Sequence, residues 1–263
     1  MIPYPKINPD IITIGPFHVR WYGIMYVLGF LSGYFLIQKQ KRSKEIGLQG
    51  QLVQELVFYL AVGLIVGARL GYLLFYQYPS FPYYLRNPLE ILALWHGGMS
   101  FHGGLMGSVV AGWWFCRRKK MPFWAVADSV IVTAPVGLGL GRLGNFINGE
   151  LFGRPTQLPW AMVFPGGGPV PRHPSQLYEA LAEGLVLFIL LWYLRKKRFR
   201  DGMMVPMFLV FYGSFRFFLE FFREPDPQLG FVLGPFSMGQ VLCAGMVGAG
   251  VLIAVLLRAT QKR

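Results

Sequence analysis

Side chains able to bind anions or move protons occur inside or at the ends of apolar stretches of this chain. They are Tyr22, Arg69, His102, Asp128, Arg142, Glu179, Glu183, Tyr212, Arg216, Glu220 and Arg223. A charge at mid-bilayer costs about 2.5–3.5 kcal/mol on insertion scales, so a bundle selected only for stability has little reason to carry several. Arg grips a phosphate through two parallel hydrogen bonds, and His or Tyr can carry a proton. Familiar alternatives are missing: there is no HExxH zinc motif, no GxSxG nucleophile elbow and no P-loop. The two cysteines, Cys116 and Cys243, stand apart from the polar set and share no CxxC spacing. The chemistry that fits is the binding of a lipid phosphate and the handling of a proton, with no metal and no cofactor.

Spacing groups these residues. Tyr212, Arg216, Glu220 and Arg223 fall within an arc of about 80° on a helix. The stripe reads either as internal ion pairing at i,i+3 and i,i+4 or as a functional face, the latter favoured for Arg216, which lies deeper. Gly141-Arg142-Leu143-Gly144-Asn145-Phe146-Ile147-Asn148-Gly149-Glu150 reads either as plain helix capping or as an anionic-headgroup site built from Arg142, Asn145, Asn148 and Glu150 at the membrane surface. His102 stands in Ser100-Phe101-His102-Gly103-Gly104, whose glycines admit either a substrate or a neighbouring helix. His96 reads as a loop residue. Arg172 to Glu179 opens the fifth apolar span, with Ser175 as an N-cap after Pro174.

The elements that must position these groups are membrane spans. Of 263 residues, 54% are hydrophobic and 14% charged, and the pieces between the apolar stretches are too short for separate cores. A single membrane domain over 1–263 is expected: an all-α integral membrane protein with about seven transmembrane helices. The spans fall near 20–38, 53–77, 97–116, 122–141, 175–194, 203–222 and 236–257. Most of the 25 Lys and Arg residues lie in four clusters, Lys39–Lys44, Arg117–Lys120, Arg195–Arg200 and Arg258–Arg263. Each cluster follows an odd-numbered span. The N-terminus is therefore expected in the periplasm and the C-terminus in the cytoplasm. Longer outer connections are expected at 78–96, 142–174 and 223–235. The net charge of +13 belongs to these flanks rather than to a basic soluble face, so nucleic acid is excluded as a partner.

Depth then gathers the polar residues. At 1.5 Å per residue, Arg69 lies roughly 24 Å and Arg216 roughly 20 Å from the inner ends of their spans. His102, Arg142 and Tyr22 sit at or near outer ends. One polar cavity in the outer half of the bilayer is expected, with Asp128, Glu179 and Glu183 nearer the inner half.

Gly141 to Gly153 (GRLGNFINGELFG) resembles the hallmark motif of the prolipoprotein diacylglyceryl transferases. Further matches run along the chain: Arg20-Trp21-Tyr22-Gly23, Gly67 to Tyr72, Ser100 to Gly104, His173 to Glu179, and Tyr212 to Asp226. The resemblance implies transfer of the diacylglyceryl group of phosphatidylglycerol to the lipobox cysteine of a preprolipoprotein signal peptide, with release of glycerol phosphate. It implies a multi-pass protein of the bacterial inner membrane, its active site facing the periplasmic leaflet. Carried onto this chain, it makes His102, Arg142 and Arg216 catalytic. Tyr22, Asn145, Glu150, Gly153 and Tyr212 are implied to support them, and Arg69, Asn148, Glu220 and Arg223 are expected with them in substrate binding. Whether His102 or Tyr22 takes the thiol proton stays open. A transporter for a lipid or small anion would need polar residues along the full depth of one route, and a lipid-binding scaffold would need no chemistry; both fit the residues less well.

Overall fold

The computed structural model describes residues 2–5, 7–15, 17–93, 97–197, 199–224 and 231–259. His96, residues 225–230 of the third outer connection and the C-terminal Lys262 and Arg263 lie outside the described residues. Among the described residues, five helices are long and apolar enough to cross a membrane: Trp21–Lys39, Gln51–Phe75, Phe123–Asn148, Ser175–Leu194 and Met238–Ala259. Two further expected spans correspond to Phe101–Lys119, which closes on Arg117, Arg118 and Lys119, and to Met204–Leu219, which has 16 residues. Large apolar side chains point outward along these helices, Phe58, Leu74, Ile189 and Val255 each being more than half exposed. Such a surface suits a hydrocarbon solvent rather than water.

The chain forms two compact units, residues 37–127 and residues 1–36 with 128–263. The first unit contains α2 (Lys41–Glu45), α3 (Gln51–Phe75), α4 (Phe81–Arg86), α5 (Pro88–Leu92) and α6 (Phe101–Lys119). Its centre is the α3–α6 contact, made backbone to backbone through glycines. A Cβ on Gly67 would lie 2.4 Å from the Gly103 carbonyl oxygen, and one on Gly107 would lie 2.1 Å from that of Gly63. In lipid, helices gain no hydrophobic drive to associate, so this close fit carries the dispersion energy of the pair. Gly103 and Gly104 thus serve helix packing, which decides between the two readings the sequence left open for them.

The second unit opens with an antiparallel hairpin, β1 (Asp10–Ile14) and β2 (Phe17–Arg20), and runs into α1, the helix beginning at Trp21. Then come α7 (Phe123–Ile131, from Asp128 onward in this unit), α8 (Ala134–Asn148), α9 (Ser175–Glu179), a π-helical segment (Ala180–Val186), α10 (Leu187–Leu194) and α11 (Met204–Leu219). A short pair, β3 (Phe231–Leu233) and β4 (Phe236–Ser237), leads into α12 (Met238–Ala259). Val132, Leu187, Leu191, Met204 and Phe208 make the apolar core. Gly139 of α8 lies against Gly184 of the π segment, where a Cβ on Gly184 would be 2.7 Å from the Gly139 Cα. Asp128 accepts hydrogen bonds from the backbone N–H groups of Gly202 (2.7 Å) and Met204 (3.0 Å), which ties the start of α11 in place.

Two helix ends differ from expectation. Ser175 was expected as the N-cap of the fifth span, but Pro174 holds the cap position and Ser175 Oγ donates to the Leu151 carbonyl at 3.0 Å. The second outer connection was expected to begin at 142, but α8 continues through Arg142 and ends at Asn148. Its cap is Gly149, with φ of +67°, a left-handed conformation that glycine takes without Cβ strain. Gly141 and Gly144 look like helix breakers in sequence. In the structure they are interior helix positions, and Gly144 is needed because Tyr22 Cδ2 would lie 2.9 Å from a Cβ there.

Candidate functional site: an arginine cluster on one buried carboxylate

In the second unit, α8, α9 with the π segment, and α11 each turn charged groups inward. The side chains of Glu179 and Glu183 are fully buried. Arg142 Nε lies 2.9 Å from Glu179 Oε2, and its Nη2 lies 3.8 Å from Glu183 Oε2. Arg216 donates through Nη1 to Glu179 Oε1, with Glu183 Oε1 at 3.6 Å. Its Nη2 lies 2.8 Å from Glu220 Oε2, one turn further along α11. Arg223 Nη1 lies 3.9 Å from Glu179 Oε1. Glu220 accepts a hydrogen bond from Ser237 Oγ at 3.0 Å. Breaking any one pair strands a charge in a low-dielectric interior, so the members hold one another in place.

Arg142, Arg216, Glu220 and Arg223 thus come together. Glu179 and Glu183 were expected nearer the inner half, apart from this set. The structure corrects that: they are its centre. They lie one and two turns into the helical run that starts at Ser175, and their i,i+4 spacing on one face was the signal that pointed to them.

Asn145, Asn148 and Glu150 form a second knot at the end of α8. The Asn145 and Asn148 amides donate to Glu150 Oε1 at 2.8 and 3.1 Å. Gln176 donates to the Glu150 carbonyl at 2.6 Å, joining this knot to α9. A cavity of about 330 Å³ beside it is lined by Pro9, Asp10, Arg20, Asn148 and Glu150. Tyr22, on the first turn of α1, packs on Gly144, and its hydroxyl lies 3.2 Å from that of Tyr26. Tyr212 stacks on Phe208 one turn before Arg216, at 5.4 Å between centroids.

Gly153 is held through its backbone groups, its carbonyl accepting from Arg172 Nη1 at 3.2 Å. Its N–H donates to the His173 carbonyl at 2.8 Å, and Gly153 bridges Arg223. A Cβ there would lie 2.4 Å from the Phe222 carbonyl oxygen and 2.7 Å from His173 Cβ. The glycine therefore lets the segment after α8 lie directly against the end of α11, where Arg223 starts. His173, just before α9, has its pKa lowered by burial.

Arg69 and His102 lie in the other unit. Arg69 was expected to bind substrate, but its guanidinium is committed to backbone carbonyls: Glu90 at 2.6 Å, Ile91 at 2.9 Å, Gly97 at 2.6 Å and Gly98 at 3.1 Å. It fastens the segment before α6. His102 is the second residue of α6 and is exposed. Ser100 caps that helix, its hydroxyl accepting from the Gly103 N–H at 3.2 Å.

Among the described residues no group of three or more His, Cys, Asp and Glu side chains is arranged to hold a metal ion. The arrangement can bind an anion between guanidinium groups already oriented by carboxylates. The chain matches the family model of prolipoprotein diacylglyceryl transferase over residues 9–256. The chain belongs to the prolipoprotein diacylglyceryl transferase family. Among similar proteins are three named as phosphatidylglycerol–prolipoprotein diacylglyceryl transferases. That of Geobacter sulfurreducens is 52% identical, covering 97% of this chain and 96% of its own length. That of Desulfotalea psychrophila is 49% identical over 94% and 92%. That of Rhodospirillum rubrum is 48% identical over 98% and 94%. In this member of the transferase family the Gly141–Gly153 motif divides into three parts: a helix carrying Arg142, a cap at Gly149, and the backbone clasp at Gly153.

Proposed function

We propose that this protein transfers the diacylglyceryl group of phosphatidylglycerol to the lipobox cysteine thiol of preprolipoproteins. A bond forms between the cysteine sulfur and the glyceryl carbon. The bond from that carbon to the phosphate oxygen breaks, and its electrons leave with glycerol phosphate. Family membership supports the reaction, and the convergence of Arg142, Arg216 and Arg223 on Glu179 is the observation that best supports its place in the chain.

Arg142 and Arg216 hold the lipid phosphate and stabilise the charge that grows on the leaving oxygen. His102 accepts the thiol proton. Thiol and imidazole pKa values of about 8.5 and 6.5 make that transfer uphill by roughly 2.7 kcal/mol. A positive field at the sulfur favours the thiolate and offsets part of the gap. Asn145, Asn148 and Glu150 shape the outer end of the site, with Tyr22 against α8 and Tyr212 one turn from Arg216.

In this reading the protein crosses the bacterial inner membrane seven times, with α6 and α11 completing the set, the N-terminus in the periplasm and the C-terminus in the cytoplasm. The clusters of Lys and Arg support that orientation. The site then faces the periplasmic leaflet, where lipid and translocated signal peptide are both at hand. The test is purified protein in phosphatidylglycerol-containing nanodiscs with a fluorescent lipobox peptide. Thioether formation matched by equal release of glycerol phosphate is expected. Lipid translocation without either product would replace this reading with a transporter. His102→Gln is expected to lose most turnover, and near-normal turnover would pass the proton-accepting role to Tyr22.

A further inference from the structure

Glu183 stands out within the arginine cluster. Glu179 is in direct contact with Arg142 and Arg216, whereas Glu183 is set back from both, at 3.8 and 3.6 Å. Its side chain is fully buried, and among the described residues neither of its oxygens finds a hydrogen-bond donor. It rises from the π-helical segment Ala180–Val186, a wide-turn geometry that recurs at functional sites. A buried carboxylate with no hydrogen bond is costly to keep, and packing alone would be served better by an apolar residue.

Charge balance points to a use for it. Among the described residues, with the carboxylates ionised, the three positive charges of Arg142, Arg216 and Arg223 are matched by Glu179, Glu183 and Glu220. Counted over these six side chains, the cluster is neutral without substrate. A phosphate brought between the arginines would make it negative in a low-dielectric site, where like charges repel strongly. One carboxylate must then give way. Glu179 and Glu220 are held by close contacts, Glu220 also by Ser237. Glu183 has only long contacts to lose.

We propose that Glu183 is a positioning residue that competes with the phosphate for Arg142 and Arg216 as a loosely held countercharge and gives way when a phosphate binds. Glu179 keeps the two guanidinium groups oriented, while Glu183 weakens the hold on phosphate so that the product can leave. The inference rests on the transferase reading above and adds to it a carboxylate that competes with the substrate anion.

The experiment uses purified full-length protein in nanodiscs and glycerol phosphate as a competitive probe of transfer. Glu183→Gln keeps the shape and removes the charge. The expected result is an inhibition constant for glycerol phosphate roughly tenfold lower than in the unsubstituted protein, with KM for phosphatidylglycerol shifted the same way. A residue that merely held the arginines in position would move both constants upward on loss of its charge, so the sign separates the roles. Glu183→Asp, which keeps the charge but draws it back by one methylene, is expected to shift both constants in the same direction by less, and it carries the test if the Gln variant does not fold. Unchanged or weaker inhibition in the folded variants would overturn the proposal. If the unsubstituted protein neither transfers the lipid nor responds to glycerol phosphate, the transferase reading fails, and this inference fails with it.

Discussion

Arg142 and Arg216 take opposite oxygens of a single buried carboxylate, Glu179, one through Nε from α8 and the other through Nη1 from α11. Two cations that would repel one another are thereby held side by side, each with donors left to turn toward an anion. The pairing sets the geometry of the arginine cluster.

Removing that carboxylate should undo the arrangement. Glu179→Ala leaves the buried Arg216 and the partly buried Arg142 without their shared partner, a class of change that costs up to about 3–5 kcal/mol. Thermal unfolding in detergent should show a clear fall in midpoint, accompanied by loss of transfer. A variant of normal stability and activity would mean that the arginines are held by something else.

Arg216→Lys keeps the charge and loses the planar fork. Arg216 now serves Glu179, Glu183 and Glu220 at once, which a single ammonium cannot reproduce. Turnover should fall on the order of 100-fold, the scale of losing one charge-stabilising donor, while the protein still accumulates in the membrane. Wild-type turnover in the Lys variant would show that charge alone suffices.

Gly153→Ala tests the backbone clasp. The added methyl meets the Phe222 carbonyl and His173 Cβ at distances that no side-chain rotation relieves. Overpacking of this kind costs about 1–3 kcal/mol. Hydrogen exchange should report faster opening around Gly153 and His173, and transfer should drop because Arg223 directly follows the displaced Phe222. Unaltered exchange would place the glycine's importance elsewhere.

Arg69→Ala should act on its own unit. Four carbonyls between Glu90 and Gly98 lose their cationic donor. Bonds of this kind are worth about 1.5–3 kcal/mol each when one partner is charged, so the segment should lose amide protection strongly. Intact protection combined with weakened lipid binding would return Arg69 to the substrate site.

His173 predicts a direction with pH. Burial lowers its folded pKa, so the neutral imidazole belongs to the folded state. The unfolded chain takes up a proton near its ordinary pKa, about 6.5, while the folded one resists. Whatever this residue adds to stability is present above that pH and lost as pH falls through it toward the folded pKa. Comparing unfolding midpoints of the unsubstituted chain and His173→Gln at pH 7.5 and 5.5 checks the sign. A smaller loss in the Gln variant is expected, and an equal loss would discount the histidine.

Much of the site was legible because intramembrane charge is expensive and therefore informative. Arg216 and Glu220 could be picked out on that ground, with Arg142 at a span boundary, and helical periodicity added Arg223 to the face of Arg216 and Glu220. What periodicity cannot supply is the partner across the helix interface. Glu179 and Glu183 show a face in sequence, but only the packing of α8 and α11 against it reveals that they centre the cluster. Glycine was ambiguous for a related reason. Gly144 and Gly149 are both in a run that looks like a helix end, yet one makes room for Tyr22 inside α8 and the other caps it. Gly103 and Gly104 invited a substrate in sequence and received α3 instead. Arg69 looked like its fellow arginines because a buried guanidinium in sequence does not disclose whether its acceptors are a ligand or the chain's own carbonyls.

The most direct measurement is a cryo-EM structure of the full-length protein in nanodiscs with phosphatidylglycerol bound. The account predicts the lipid phosphate between Arg142 and Arg216, its oxygens at charge-assisted hydrogen-bond distance of about 2.7–2.9 Å from both guanidinium groups. A phosphate seated away from that pair, with both arginines still committed to Glu179 and Glu183, would contradict it.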